Sequence, residues 1–296
     1  MKKGLTITMI FEAESANYGE GIGNITTLKK MSRSDGNMYT YISRQAMRYN
    51  IVQQMGCDNT PVSGDKGTVQ FDPAATITDY PEIDMFGYMK TRAKSDKDMG
   101  GADTRSAAVR LSNAISLEPY NNDLDFLTNI GLAHRTKDLQ NNIAQSEIHH
   151  ALYSYTVSVD LDRIGEDEGI SLPASEKCDR ICKLLDTIQF LYRDIKGRRE
   201  NLSPLFVIGG VYNRKSPYFE GRCKLEKGKL NVDTLNATIT SCEDTAENTV
   251  VGYLDGSFTN ENEIKEKLKI NDMSILMTVQ EAFKSLCEKV REFYNA

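Results

Sequence analysis

Tyr153-Ser-Tyr-Thr-Val-Ser-Val-Asp-Leu-Asp162 decides the fold class of this chain. Tyr153, Tyr155, Val157, Val159 and Leu161 alternate with Ser154, Thr156, Ser158, Asp160 and Asp162. A period of two, with β-branched and aromatic residues on one side, marks a half-buried strand. Gly165 to Gly169 interrupts the run. Pro173 then opens a predicted helix to about Ile195, with Ile181, Leu184, Leu185, Ile188, Leu191 and Tyr192 on its apolar stripe. Leu205 to Ile208 is a short buried strand before Gly209 and Gly210. Strand, helix and strand make a split βαβ unit.

The same pattern recurs upstream. Leu5, Ile7 and Met9 alternate with Thr6 and Thr8, which predicts a first strand over Leu5 to Glu12. Tyr39 to Met55 reads as a helix, with Ile42, Ala46 and Tyr49 on one face and Arg44 and Arg48 on the other. Together these elements predict an α+β fold built on a ferredoxin-like, RRM-type sheet. Residues 13–38, rich in Gly, Ser and Asn, read as loop. A single domain over 1–296 is expected, with insertions at about 57–130 and at about 213–245, the latter a hairpin around Lys227 and Gly228. Val250 to Leu254 reads as another strand, and Ser274 to Tyr294 as a terminal amphipathic helix.

The 296 residues are 40% apolar and 26% charged, ordinary for a globular chain with a sizeable core. No stretch of about 18 apolar residues exists, so no membrane partner is expected. Leu5 to Phe11 is too short for a signal-peptide core, and Glu12 and Glu14 follow it. The six cysteines are scattered, which points to a reducing, cytoplasmic home.

Charge is distributed unevenly. The net formal charge is −6, yet residues 26–52 hold Lys29, Lys30, Arg33, Arg44 and Arg48 against Asp35 alone. Residues 192–230 hold ten basic residues against four acidic ones, and residues 241–296 hold six against eleven. Local cations beside hydroxyls and amides suit a surface that binds a phosphate backbone. Opposite charge at two ends also suits head-to-tail contact between copies. Lys29 with Lys30 and Arg44 with Arg48 are the phosphate candidates, and Asn24, Thr26 and Thr27 supply neutral donors. Arg44 and Arg48 at i,i+4 repel each other, and a polyanion would relieve that repulsion.

Catalytic motifs are weaker. Gly19, Gly21 and Gly23 lack the spacing of the dinucleotide fingerprint, and Gly64-Asp-Lys-Gly-Thr68 lacks the Walker order. His134, His149 and His150 are the only histidines, and with Cys178 and Cys182 they match no standard zinc spacing, so no metal or cofactor is expected. Asp160 and Asp162 on one strand face leave a magnesium-dependent RNA nuclease as an alternative. A DNA-binding autoregulator is a second alternative, although no helix-turn-helix is evident.

Several runs carry a family resemblance. Gly23-Asn-Ile-Thr-Thr-Leu-Lys-Lys30, Tyr41-Ile-Ser-Arg-Gln-Ala-Met-Arg-Tyr49, Ile83-Asp-Met-Phe-Gly-Tyr-Met89, the Arg105 to Ser116 segment, Tyr155 to Gly165 and Phe206-Val-Ile-Gly-Gly-Val-Tyr212 occur in that order. The chain resembles the DevR-type backbone subunit of type I-B-like CRISPR Cascade complexes, in the Cas-seven superfamily. The resemblance implies an RRM-like palm with finger and thumb insertions, and no enzymatic activity. It implies partners: guide crRNA along which copies polymerise head to tail, target DNA reached through the guide, and other Cascade subunits. It assigns RNA contact to Asn24, Thr27, Lys29, Lys30, Arg44, Arg48, Arg105 and Arg110, with Lys90 and Arg92 as finger contacts. Tyr49 is expected beside the RNA or in the core. The family's Ser-Pro before the second Arg is replaced by Ala107-Ala108 here.

Overall fold

The structure, a computed structural model, describes residues 3–14, 17–22, 25–65, 68–92, 101–135, 143–270 and 273–296. Among these, nine strands join one sheet: β1 (Gly4–Ala13), β2 (Lys30–Ser32), β3 (Met38–Ile42), β4 (Val109–Leu111), β5 (Ala114–Ser116), β6 (Ala151–Asp160), β7 (Phe206–Tyr212), β8 (Thr249–Tyr253) and β9 (Leu276–Met277). Their order is β9-β8-β7-β1-β6-β5-β3-β2, with β4 also paired to β6. Central pairings are antiparallel, with Thr8 opposite both Thr156 and Ile208, and β8 with β9 is parallel. Three long helices are α1 (Arg44–Gln54), α2 (Ala174–Gln189) and α3 (Val279–Tyr294). The architecture is mixed α+β.

Alternation sorts the sheet into two faces. Leu5, Ile7, Met9 and Phe11 of β1 join Tyr153, Tyr155, Val157 and Val159 of β6 in the core that the three helices cover. Each fully buried aliphatic or aromatic side chain there contributes roughly 1.5–3 kcal/mol before chain ordering is counted. On the other face, Ile10, Phe206, Ile208 and Tyr212 pack beneath Phe219, Leu230, Leu235 and Phe258. That second cover spans only half of the face. Over β6, Ser154 and Ser158 remain partly exposed, and the uncovered half becomes a groove.

A second sheet of four strands has the order Asp123–Thr128, Ile143–Ile148, Ile25–Leu28, Tyr18–Ile22. Residues 13–38 therefore carry short strands where loop was expected. Within the expected insertion at 57–130, β4 and β5 belong to the main sheet, while Val62–Asp65 pairs Thr68–Phe71 and Tyr88–Arg92 pairs Gly101–Arg105. The expected hairpin near Lys227 and Gly228 is present, pairing Leu225–Glu226 with Lys229–Leu230.

Other boundaries differ for physical reasons. Tyr39 to Ile42 is strand rather than helix, because alternating aromatic and β-branched residues pair with β2 and β5. Helix α1 begins only behind Ser43, whose Oγ accepts from the Ala46 N–H at 3.3 Å. Its buried face is Met47, Ile51 and Val52, and Tyr49 is exposed. Helix α2 ends at Gln189, and Tyr192–Ile195 pairs with Arg198–Asn201. Helix α3 starts at Val279, fixed by a Thr278–Glu281 capping box. Asp162 falls on a 3₁₀ turn, Leu161–Arg163, so it does not share a strand with Asp160.

Candidate nucleic-acid interface

Among the described residues, a groove of about 780 Å³ runs across the open half of the sheet. Its floor is β6, which turns Ser154, Thr156 and Ser158 away from the helices because Tyr153, Tyr155 and Val157 are drawn into the core. Ser112 beside it closes the ladder at a strand break. Its N–H donates to the Thr156 carbonyl at 2.9 Å and its Oγ accepts from the Thr156 N–H at 2.9 Å. The floor is therefore lined with hydroxyls, neutral partners for phosphate and ribose oxygens.

Cations stand around this floor. Arg33 and Arg44 line one side, Lys215 and Lys224 the other, and Arg110 rises from β4 between them. Among the described residues, Glu220 is the one carboxylate in the lining. Arg33 lies 4.4 Å from the centroid of Tyr39, and the Tyr39 hydroxyl donates to Asp35 at 2.6 Å. That hydrogen bond holds the Asp35 carboxyl below its usual range and raises the tyrosine. Arg44 occupies the first turn of α1, and its backbone N–H donates to Asn113 Oδ1 at 2.9 Å. Among the described residues, Arg33, Arg44 and Lys224 form no ion pair, so their charge is available to a ligand. Burial pushes the Cys223 thiol behind the wall up to about 12, which keeps it protonated at neutral pH and not a nucleophile.

The residues expected at the interface divide. Arg44 and Arg110 meet in the groove. Arg48 lies 5.8 Å from the Phe86 ring centroid and lines a separate cavity of about 360 Å³ with Asp58 and Glu82. Lys30 is held by Glu147 at 2.6 Å and lies 4.7 Å from the Tyr120 ring centroid. Thr27 lies on the Ile25–Leu28 strand of the second sheet and Lys29 just follows it, both half-buried. Lys90 is buried instead of exposed, donating to the Ala75 carbonyl, and burial lowers its pKa. Arg105 is also buried, bound to Asp84 at 2.6 Å and to the Arg163 carbonyl at 2.8 Å. Neither is placed to meet a ligand. Asn24 and the Arg92 side chain lie outside the described residues. Sequence reading left Lys215 and Lys224 out of the site, although the basic run at 192–230 signalled them.

The carboxylates of the nuclease alternative are already occupied. Arg110 approaches Asp160 at 3.0 Å, Arg163 at 3.5 Å and Lys215 at 3.8 Å, and Lys215 also bonds Asp162. Three cations on this pair disfavour a divalent ion there. His149 is buried rather than a ligand, with its Nδ1 2.7 Å from Thr40 Oγ1.

Comparisons with known proteins bear on the family and the fold. A curated relative described as CRISPR-associated protein Cas7/Cst2/DevR, from Myxococcus xanthus (strain DK1622), is 27% identical over 160 residues, 48% of this chain and 52% of that protein. The chain thus matches about half the length of that relative. A solved chain of a CRISPR RNA-guided surveillance complex, pre-nicking, has a TM-score of 0.59 at 11% identity, covering 97% of this chain and 100% of its own. A chain of another CRISPR RNA-guided surveillance complex has a TM-score of 0.59 at 14% identity, covering 96% and 98%. Both show a shared fold. The family profile described as CRISPR-associated negative auto-regulator DevR/Csa2 matches residues 5–229. A match over that much of the sequence means that the chain belongs to the DevR/Csa2 family of CRISPR-associated proteins.

Proposed function

We propose that the chain is a non-catalytic, guide-RNA-binding backbone subunit of a CRISPR surveillance complex. The observation that carries this is the groove: five lining cations, three of them without an ion pair among the described residues, over a floor of hydroxyls, in a chain of net charge −6. Such a surface takes a sugar–phosphate chain without reading bases, and target DNA is then selected by pairing with the guide. The strands β7-β1-β6-β5, with α1 and α2 on one face, follow the strand order of a ferredoxin-like, RRM-type palm, which supports that description of the sheet. The second sheet projects exposed apolar side chains, among them Leu124, Phe126, Leu127 and Ile143. An apolar arm of this kind favours burial against another copy, and head-to-tail polymerisation along the guide provides it. Other subunits of such a complex are the remaining partners, and the cytoplasm is the compartment.

The full chain is expected to purify with nucleic acid, giving an absorbance maximum near ~260 nm, as nucleobases do, and high-mass species that ribonuclease disperses. Nucleic-acid-free protein with no affinity for single-stranded RNA at low salt overturns the proposal. Tighter binding to duplex DNA than to RNA would instead favour the regulator implied by the family's description.

A further inference from the structure

We propose that Asp160 is a positioning residue. Its carboxylate gathers Arg110 and, together with Asp162, Lys215 into one anion subsite at the end of the groove that takes a phosphodiester of the RNA. This rests on the groove being an RNA site. Asp160 ends β6 with its side chain 10% exposed, and Arg110 and Lys215, at 49% and 28%, lie above it toward solvent. Arg110 Nη1 lies 3.0 Å from Asp160 Oδ2, and Lys215 Nζ lies 3.8 Å from Oδ1 while also bonding Asp162.

The two cations come from distant parts of the chain. Arg110 sits on β4 opposite Ser158, and Lys215 follows β7. The register brings their strand ends close, since Gly4 lies opposite both Asp160 and Tyr212, and the carboxylate then draws the two side chains to one point. Gly4, opposite Asp160 on β1, leaves the room: a methyl added there would come within 2.9 Å of the Lys215 Cα. Arg163 approaches the same Asp160 Oδ2 as Arg110, at 3.5 Å, and donates to the Ser106 carbonyl at 2.7 Å. The carboxylate is therefore fixed before any ligand arrives. Two cations held in place lose less side-chain freedom on meeting a phosphate than two free ones.

Net charge and positioning predict opposite signs for Asp160→Asn. Removing a negative charge beside a polyanion site should tighten binding if charge alone matters. If Asp160 positions the cations, binding weakens. The test titrates the full chain with a labelled single-stranded oligoribonucleotide, comparing wild type, Asp160→Asn and Asp194→Asn. Asp194 is exposed and outside the groove, so its replacement controls for charge. Asp160→Asn is expected to weaken binding roughly three- to tenfold, and Asp194→Asn to leave it equal or slightly tighter. Arg110→Ala and Lys215→Ala, at partly exposed positions, should each weaken it by a similar factor, and they carry the test if Asp160→Asn does not fold. Unchanged or tighter binding by Asp160→Asn, or by both alanine variants, overturns the proposal while the RNA site stands. No binding by wild type overturns both.

Discussion

Arg105 Nη2 lies 2.6 Å from Asp84 Oδ1, and Asp84 is fully buried. Arg180 reaches the other oxygen at 2.8 Å, and the Gly165 N–H donates to both oxygens at 3.0 Å. Three runs that carry the family resemblance, around Asp84, Arg105 and Gly165, thus meet at one carboxylate. A buried anion is tolerable only with such partners.

Asp84→Ala removes the buried carboxylate shared by two buried arginines, leaving Arg180 with Glu176 and Arg105 with the more distant Asp167. Its expected cost is about 3–5 kcal/mol of unfolding free energy, the usual loss when one partner of a buried pair is removed. Arg105→Ala is expected to act the same way. Denaturant unfolding should register both, and RNA affinity of the folded fraction should change little. A stable Arg105→Ala protein with selectively weakened RNA binding would restore Arg105 as a phosphate contact.

Gly87 allows the Arg105 strand to approach. Its φ is +74°, and an added Cβ would meet the Arg105 carbonyl oxygen at 2.2 Å. Gly87→Ala therefore costs at least about 1–3 kcal/mol from conformation alone, with the clash in addition. A melting temperature equal to wild type would show that the backbone here is not constrained.

Burial lowers the pKa of His149 from its ordinary 6.5, with Thr40 at its Nδ1. The folded state therefore binds this proton less readily than the unfolded state. Its contribution is fully present above the unfolded pKa, near ~6.5, and declines as pH falls below it. Wild type should lose stability between about pH 7 and 5.5, a window above most carboxylate titrations. His149→Gln should lose less over the same window. Equal pH dependence in the two proteins would remove His149 as the cause.

Leu127→Asp places a charge on the apolar arm, at a side chain 67% exposed. The fold should be unaffected, because nothing there is buried within the chain. Light scattering of the RNA-bound protein is expected to show fewer copies per RNA. Unchanged mass would move the contact between copies elsewhere.

Much of this frame was legible in the sequence because strong periodicity records burial. The strand at Tyr153 to Asp160 and the apolar stripe from Ile181 to Ile188 faced one core and read correctly. Tyr39 to Ile42 misled, since a strand running directly into a capped helix blurs two periods into one. The cationic stretch located Arg33 and Arg44, but charge density cannot distinguish a free arginine from one committed to a buried carboxylate. Arg105 and Lys30 have partners, Asp84 and Glu147, that only the tertiary structure brings near. Lys215 and Lys224 join the groove for the same reason, contributed by a segment far from Arg44 in the chain.

The groove is tested most directly by the salt dependence of single-stranded RNA binding. Wild type is to be compared with a variant carrying Arg33→Ala, Arg44→Ala and Lys224→Ala, the three lining cations that form no ion pair among the described residues. The variant should bind more weakly, with a slope of log affinity against log salt shallower by about two, as loss of three phosphate contacts on a single strand implies. A slope and affinity equal to wild type would contradict the groove as the path of the guide.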